Sequence, residues 1–277
     1  MIRGAERVAR SDARPRRPTC ACIASALLAA GVLAAVDAGA APAPPRFEVD
    51  HVWIMVSPAA PERSALERLG LIVAPGINQH TGQGTASVTF ELTNAFIELV
   101  WVDPAARIAP GLEVGARKFV RKAAWRTSGW CPFGIALHRT PAGPDSLPFT
   151  SWPLHVEWMP PGVYYAMLTA RADTLSPSVW VKPRVDTTRE PGGSAAVLAD
   201  SVRATAFRQP PGLRRLTRVR LIHPRPYRPT EAMRDLAGEH VFELGPGDGW
   251  LLELTFNQGA ARRTRDLRPD LPVVVHY

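Results

Sequence analysis

The sequence contains little cysteine, and this scarcity excludes a scaffold built on disulfides. The chain has three cysteines, and two of them, Cys20 and Cys22, precede an apolar run near the N-terminus. Only Cys131 follows that run, so an oxidising compartment finds no intramolecular disulfide to make there. Stability must therefore come from a packed core. A lipoprotein anchor is not indicated, because its cysteine would follow the apolar run.

The sequence also lacks the short motifs of several enzyme classes. It has no G-x-S-x-G, H-E-x-x-H, dinucleotide-binding or phosphate-loop pattern. Hydrolase, zinc-protease and nucleotide chemistry are therefore without support. The apolar run of residues 23–36 has 14 residues, which is short of the roughly 20 that a membrane-spanning helix needs.

Residues 1–40 have the three parts of a secretory signal peptide. A start rich in arginine precedes the apolar run, and Ala38, Gly39 and Ala40 then offer a small-residue cleavage site. This pattern predicts an exported protein, periplasmic or extracellular, that begins near Ala41 and keeps no stable membrane span. Arg16 and Arg17 could belong to a twin-arginine signal, although no apolar residues follow the pair directly.

Much of the positive charge belongs to this predicted signal. Removing its six arginines and three acidic residues lowers the net charge from +8 to +5. The remaining arginines are scattered and are not interleaved with aromatic residues, so nucleic acid is not an expected partner.

The clearest pattern lies in residues 47–102. The opening run alternates and is rich in β-branched and aromatic residues, which predicts a strand with His51, Trp53 and Met55 on one face. Pro61 suits the first turn of a helix and Gly70 its end. Three further strands are predicted, at 71–73, 86–92 and 95–102. The unit therefore reads β-α-β-β-β.

Three strings in this unit, DHVWIMV, HTGQGTAS and AFIELVWV, together resemble a glyoxalase-like domain of the vicinal oxygen chelate superfamily. That superfamily also includes extradiol dioxygenases and bleomycin-resistance-type binding proteins. The resemblance covers about 55 residues and implies two βαβββ modules that form a cupped sheet. It also implies metal ligands from a His on the first strand and a Glu on the fourth, which here are His51 and Glu98.

A His and a Glu on neighbouring strands could hold a divalent ion such as Fe, Mn, Zn or Ni. Two His and one carboxylate would leave positions open for a substrate that chelates through adjacent oxygens. His80, in the HTGQGT loop, is a candidate third ligand or acid/base catalyst. Trp53 is a candidate for lining the substrate pocket, although aromatic residues on strands more often belong to a core.

The rest of the chain predicts a linking helix and a second, degenerate module. Residues 115–124 suit an amphipathic helix with a solvated basic face. Residues 213–277 repeat the β-α-β-β-β order, with Arg218 in the position of His51. Because arginine does not ligate metals, Arg218 is predicted to enter the cavity and to pair there with Glu98 or with a substrate carboxylate. Whether Glu253 or His276 joins the site stays open. Further strands are predicted at 133–139, 152–158, 163–168 and 179–181, the last as a short edge.

The predicted fold is α+β, with paired βαβββ modules that form a cupped mixed sheet. Its predicted segments are a signal peptide at 1–40, a Pro-rich spacer at 41–46, the first module at 47–102, a linking helix with inserted strands at 103–212, and the degenerate module at 213–277. Two functions follow. The first is a metal-dependent lyase, isomerase or dioxygenase that acts on a small molecule with vicinal oxygens. The second is a metal-free protein that binds a small aromatic or amphipathic ligand.

Overall fold

The structure is a computed structural model that describes residues 45–141, 143, 146–157, 159, 161–170, 173, 175–183 and 204–277. The predicted signal peptide at 1–40 and most of the spacer at 41–46 lie outside these residues. No helix in the described ranges is long and apolar enough to cross a membrane.

The first module has the predicted order of elements. It consists of β1 (Phe47–Met55), α1 (Arg63–Glu67), β2 (Asn78–His80), β3 (Thr85–Glu91) and β4 (Phe96–Val102). The strand predicted at 71–73 is not formed. Instead β2 pairs with β3 as an antiparallel hairpin, and the HTGQGT string supplies the turn. His80 is thus the last residue of a strand rather than a loop residue.

The predicted linking helix is α2 (Glu113–Ala123), which is followed by α3 (Trp125–Ser128). The prediction that the basic face of this helix is exposed to solvent is wrong for two of the basic residues. Lys118 and Lys122 are 6% and 0% exposed, whereas Val120 is 55% exposed. The two lysines are four residues apart and so share one helix face, which lies against the protein. Their long aliphatic stems make such burial feasible.

Four further strands complete a curved eight-stranded sheet. They are β5 (Phe133–Arg139), β6 (Trp152–Leu154), β7 (Tyr165–Met167) and β8 (Ser178–Val181). The strand order is β2-β3-β4-β1-β5-β8-β7-β6. Strand β8 was expected at an edge but lies between β5 and β7.

The eight strands form two equivalent groups of four. Strand β1 is parallel to β4, β5 is parallel to β8, and β1 and β5 meet as antiparallel neighbours. The α+β fold class and its cupped mixed sheet are confirmed. The placement of the second module is corrected, however, because β5–β8 and not residues 213–277 stand beside the first module. The short strands β6 and β7, each of three residues, did not indicate a complete module.

Residues 213–277 form a separate five-stranded sheet. Its elements are β9 (Leu216–Pro224), α4 (Glu231–Gly238), β10 (Glu243–Gly247), β11 (Leu251–Phe256), β12 (Thr264–Asp266) and β13 (Val273–His276), and short 3-10 helices lie at Pro211–Leu213 and Asn257–Gly259. The strand order is β10-β9-β11-β13-β12. The side chain of Thr230 caps α4 by accepting a hydrogen bond from the backbone N–H of Met233.

The two sheets share one hydrophobic core. Val52 and Ile54 of β1 belong to the same buried cluster as Val219 and Leu221 of β9. His51 and Trp53 alternate with Val52 and Ile54 and therefore point to the opposite face of the eight-stranded sheet. The second sheet thus covers one face of the first, and the other face is left to form a cavity.

Candidate functional site

The open face of the eight-stranded sheet lines a cavity of about 770 Å³, a volume within the usual range for small-molecule sites. The wall combines residues from both groups of strands with residues of α2. The cavity-lining residues used below are His51, Trp53, His80, Glu91, Phe96, Glu98, Lys118, Phe119, Tyr165, Ser178, Trp180 and Lys182.

His51 is held in place by its neighbours on three sides. Its ring stacks on Phe96 of β4, with the ring centroids 4.2 Å apart. Its Nδ1 lies 2.7 Å from Oδ1 of Asp50. Because a carboxylate only accepts hydrogen bonds, this contact assigns a proton to Nδ1 and leaves Nε2 facing the cavity. Nε2 lies 3.8 Å from Oε2 of Glu98.

The contact between Asp50 and His51 depends on a β-bulge. In the pairing of β1 with β5, Val49 faces Leu137 and His51 faces Ala136, so Asp50 is an extra residue. A bulge turns the side chain of the extra residue away from strict alternation. The carboxylate of Asp50 can therefore reach the ring of the residue that follows it.

Glu98 is a buried carboxylate with three polar neighbours. Ser87 donates a hydrogen bond from Oγ to Oε1 at 2.6 Å, and Nε2 of His80 lies 3.3 Å from the same oxygen. Burial raises the pKa of Glu98, but the hydrogen bond from His80, the charges of His51 and His80 and the bond from Ser87 outweigh it, so the pKa lies below its ordinary value. Glu98 is therefore ionised at neutral pH.

His80 reaches Glu98 because of the tight turn after β2. Gly82 and Gly84 adopt φ values of +81° and +79°, which side chains with a Cβ rarely tolerate. Nδ1 of His80 lies 2.8 Å from the hydroxyl oxygen of Thr85, which leaves Nε2 directed at Glu98. Two imidazole Nε2 atoms thus converge on one carboxylate.

A second charged pair lies behind His51. Nζ of Lys182 donates to both carboxylate oxygens of Asp50, at 3.0 and 3.2 Å. Burial raises the pKa of Asp50. The hydrogen bond and charge of His51 and the charge of Lys182 have the larger, opposite effect and lower this pKa to about 2. Asp50 therefore stays negative at neutral pH and accepts the hydrogen bond from Nδ1 of His51.

Aromatic residues form much of the remaining wall. Trp180 stacks with Trp53 and with Tyr165, at centroid distances of 5.9 and 6.4 Å. The indole of Trp53 lies over Gly134, where a Cβ would be 2.0 Å from its Nε1. Glycine at 134 is thus what lets this ring pack.

Three buried polar atoms of the wall have no hydrogen-bond partner among the described residues. They are Nε1 of Trp53, Nε1 of Trp180 and Oγ of Ser178. Buried polar groups are normally satisfied. These three atoms lie within the wall itself, where almost none of their surface is accessible.

Two of the three donor pairs have separations compatible with one divalent ion, each to a different oxygen of Glu98. Donors that each lie about 2.1 Å from one ion are roughly 3.0–3.8 Å apart at ordinary bond angles, and the distances of Glu98 to His80 and His51 are 3.3 and 3.8 Å. The Asp50 contact at Nδ1 also matches the carboxylate that commonly orients a metal-binding His. Within the described ranges, however, no group of three or more His, Cys, Asp or Glu is arranged to hold a metal ion.

Arg218 lies outside this cavity, contrary to the prediction. Val219 and Leu221 of β9 face the core, so Arg218 points to the outer face of the second sheet. There its guanidinium forms two hydrogen bonds of 2.5 Å with the carboxylate of Glu243. Glu253 pairs with Arg220 at 3.1 Å and His276 with Thr264 at 3.0 Å, so neither joins the cavity.

The cavity also contains residues that the sequence did not indicate. Ser178, Trp180 and Lys182 of β8 form the wall opposite the first module, and Lys118 enters from α2. These three residues alternate with two valines in the sequence. That alternation could have indicated that they share one face of a strand.

Comparison with known proteins agrees with the resemblance in the first module. A family model described as a glyoxalase-like domain matches residues 49–145. Among solved structures, a hypothetical protein from Staphylococcus aureus is similar at 10% identity and a TM-score of 0.47, over 83% of this chain and 98% of that one. A hypothetical protein from Bacillus halodurans C-125 is similar at 16% identity and a TM-score of 0.33, over 52% of this chain and 99% of that one. No curated protein matches the chain. Over residues 49–145 the chain is therefore similar to a glyoxalase-like domain.

Proposed function

We propose that this protein binds a small molecule in the cavity and acts on an oxygen-bearing end of that molecule with His51, His80 and Glu98. The observation that carries the proposal is the convergence of two imidazole Nε2 atoms on one buried carboxylate, at 3.3 and 3.8 Å, inside a cavity of about 770 Å³. Polar groups that converge in an otherwise apolar cavity are typical of a ligand site.

The wall favours a ligand with an apolar, partly aromatic body. Trp53, Phe96 and Trp180 offer ring faces for stacking. Trp53 keeps its proposed role in substrate binding, and Arg218 has none in this cavity.

A divalent ion is the cofactor that we propose for this site. His51 and Glu98 would hold it, and His80 would supply the third protein donor, which is the usual number for a catalytic ion. Such an ion would act as a Lewis acid on vicinal oxygens of the substrate. This assignment corresponds to a lyase, isomerase or dioxygenase of the vicinal oxygen chelate type.

The protein's own groups would perform the remaining steps. Asp50 fixes the tautomer of His51, and Lys182 keeps Asp50 negative. The aromatic wall orients the substrate and limits the access of water. The histidine and serine neighbours of Glu98 hold its pKa below the ordinary value. Its carboxylate therefore stays negatively charged at neutral pH and can serve as a metal ligand.

Metal analysis of the purified chain tests this assignment. After dialysis against Fe(II), Mn(II), Zn(II) or Ni(II), we expect about one ion per chain, and His51→Ala and Glu98→Gln should each abolish retention. His276→Ala is the matched control, because His276 lies on β13 and bonds to Thr264. Retention of all four metals below one tenth of an ion per chain would overturn the metal assignment.

Metal-free ligand binding is the second candidate, and one observation favours it. Ser87 and His80 already satisfy Oε1 of Glu98 without an ion. In that case the same cavity should bind aromatic ligands that quench the fluorescence of Trp53 and Trp180, with no change when a chelator is added. Loss of ligand binding on chelation would reject this alternative.

A further inference from the structure

The lysines of this chain are few and are concentrated near the cavity. Of 33 basic residues only Lys118, Lys122 and Lys182 are lysines, and all others are arginines. Lys118 and Lys182 line the cavity, and Lys122 lies one helical turn after Lys118 on α2. Arginine stays protonated in proteins, whereas a lysine can lose its proton when buried. The amines that could become neutral are thus gathered at this one place.

The three amines differ in their partners. Lys182 is ion-paired with Asp50 at 3.0 Å. Lys122 is fully buried and donates to the carbonyl oxygens of Cys131 and Ser176, both at 2.7 Å. These contacts account for the positions of Lys182 and Lys122.

Among the described residues, Lys118 has no comparable partner. It is 6% exposed, and its Nζ reaches only the carbonyl oxygen of Ala170, at a long 3.4 Å, among the described residues. No described carboxylate lies within ion-pair distance of it. An amine in this setting costs stability when charged, yet it lines the cavity.

The surroundings of Lys118 favour its neutral form. Burial lowers its pKa to about 7, the charge of Lys122 acts in the same direction, and Asp173 and Cys131 oppose these effects. Neutral Lys118 amines are therefore available at neutral pH, where an ordinary lysine is almost fully protonated. A desolvated neutral lysine is the usual nucleophile toward carbonyl groups.

We propose that Lys118 is a covalent docking site for aldehyde or ketone ligands that enter the cavity. The inference rests on the proposed function only in that the cavity admits a small molecule. The lone pair of Nζ attacks the carbonyl carbon, and one of the two Nζ protons moves to the carbonyl oxygen, which gives a neutral carbinolamine. The hydroxyl group and the remaining Nζ proton then leave as one water molecule, and a neutral C=N bond is formed.

The cavity wall suits such an adduct. Phe119 follows Lys118 on α2 and lies 5.8 Å from Trp53, centroid to centroid. An aromatic aldehyde joined to Nζ would therefore have ring faces nearby on which to stack. Apolar rings around the adduct would reduce its contact with water and so slow hydrolysis of the C=N bond.

Reductive trapping on the full chain tests the proposal. Folded protein is incubated at pH 7 with limiting benzaldehyde and sodium cyanoborohydride, which supplies the hydride that turns the imine into a stable secondary amine. Peptide mass spectrometry then reports benzylation at each lysine. We expect Lys118 to be labelled at least tenfold more than Lys182 or Lys122, and this preference to vanish in denaturant. Label on Lys182 with an unmodified Lys118 peptide would overturn the proposal.

A variant without the amine and a ligand without a carbonyl group distinguish failure of the covalent site from failure of the proposed function. Lys118→Arg keeps the positive charge but removes the nucleophile, so the cavity label should disappear, while binding of benzyl alcohol is measured on the wild-type protein by tryptophan fluorescence. The wild-type labelling map decides the question even if this variant does not fold. Quenching by benzyl alcohol without any label on Lys118 would reject the covalent site and leave the ligand cavity standing.

Discussion

Asp50 is the extra residue of a β-bulge in β1, and its carboxylate lies 2.7 Å from Nδ1 of His51. Without the bulge, consecutive residues of a strand would point to opposite faces of the sheet. A local irregularity in the pairing with β5 therefore sets the tautomer of a cavity histidine and aims its Nε2 at Glu98.

Asp50→Asn should weaken binding of Zn(II) or Mn(II) to the cavity by about 10–100-fold, the usual effect of removing a group that orients a metal-binding His. The change keeps the shape of the side chain but removes the charge behind His51. Isothermal titration of each ion into wild-type and variant protein measures the effect. Glu48→Gln is the matched control, because Glu48 is exposed and pairs with His138. Equal affinity of Asp50→Asn and wild type would show that Asp50 does not support a ligand.

Gly134→Ala should destabilise the protein by about 1–3 kcal/mol, as overpacking of a buried site does. A Cβ at 134 would lie 2.0–2.4 Å from three atoms of the Trp53 indole, and that ring is buried and rigid. Urea unfolding followed by circular dichroism gives the change. Gly238→Ala is the control, since nothing lies within 4 Å of the added Cβ. An unchanged unfolding midpoint for Gly134→Ala would place the Trp53 ring elsewhere.

Lys118→Met should stabilise the protein on the order of 2 kcal/mol near neutral pH, by removing a buried amine kept at a cost to stability. The pKa of about 7 in the folded protein is below the ordinary lysine value of 10.5, so the unfolded state binds more protons between these values. The penalty is then full below pH 7 and fades as the pH rises toward 10.5. The gain from Lys118→Met should follow the same course in urea unfolding at pH 6, 8 and 10.

Lys122→Met is the contrasting variant and should destabilise the protein by about 1–3 kcal/mol, because two buried carbonyl oxygens lose their donor. If both lysine variants shift stability in the same direction, the distinction drawn between the two amines is wrong.

Export is the remaining expectation from the sequence. The protein purified from outside the cytoplasm should begin near Ala41, because the small residues at 38–40 follow the apolar run. N-terminal sequencing measures this. An exported protein that retains Met1 would contradict a cleaved signal.

The sequence predicted the first module because alternation and turn residues agreed there. Since side chains alternate along a strand, the positions of His51 and Trp53 beside Val52 and Ile54 could be assigned to opposite faces before the structure. The relation of His51 to Glu98 also follows from the parallel pairing of β1 with β4, in which Trp53 faces Glu98. The bulge at Asp50 could not be foreseen, since it depends on register with β5.

The second half of the cup could not be predicted in the same way. Strands β6 and β7 have three residues each, and Pro153 interrupts the apolar pattern, whereas residues 213–277 show a capped helix and regular strands. Because the local pattern was stronger in residues 213–277, the sequence analysis assigned the second module to the wrong sheet. The predicted position of Arg218 in the cavity was wrong for the same reason. Burial of Lys118 and Lys122 is a tertiary effect, because nothing in the charge pattern of α2 separates them from Arg117 and Arg121.

The most direct measurement is a crystal structure of the protein soaked in Mn(II) or Zn(II), with anomalous difference density recorded at the metal edge. The account predicts one peak within about 2.5 Å of Nε2 of His51, Nε2 of His80 and a carboxylate oxygen of Glu98, with its ligands at ordinary lengths of about 2.0–2.2 Å. Density at other sites only, with His80 and Ser87 still bound directly to Glu98, would contradict it.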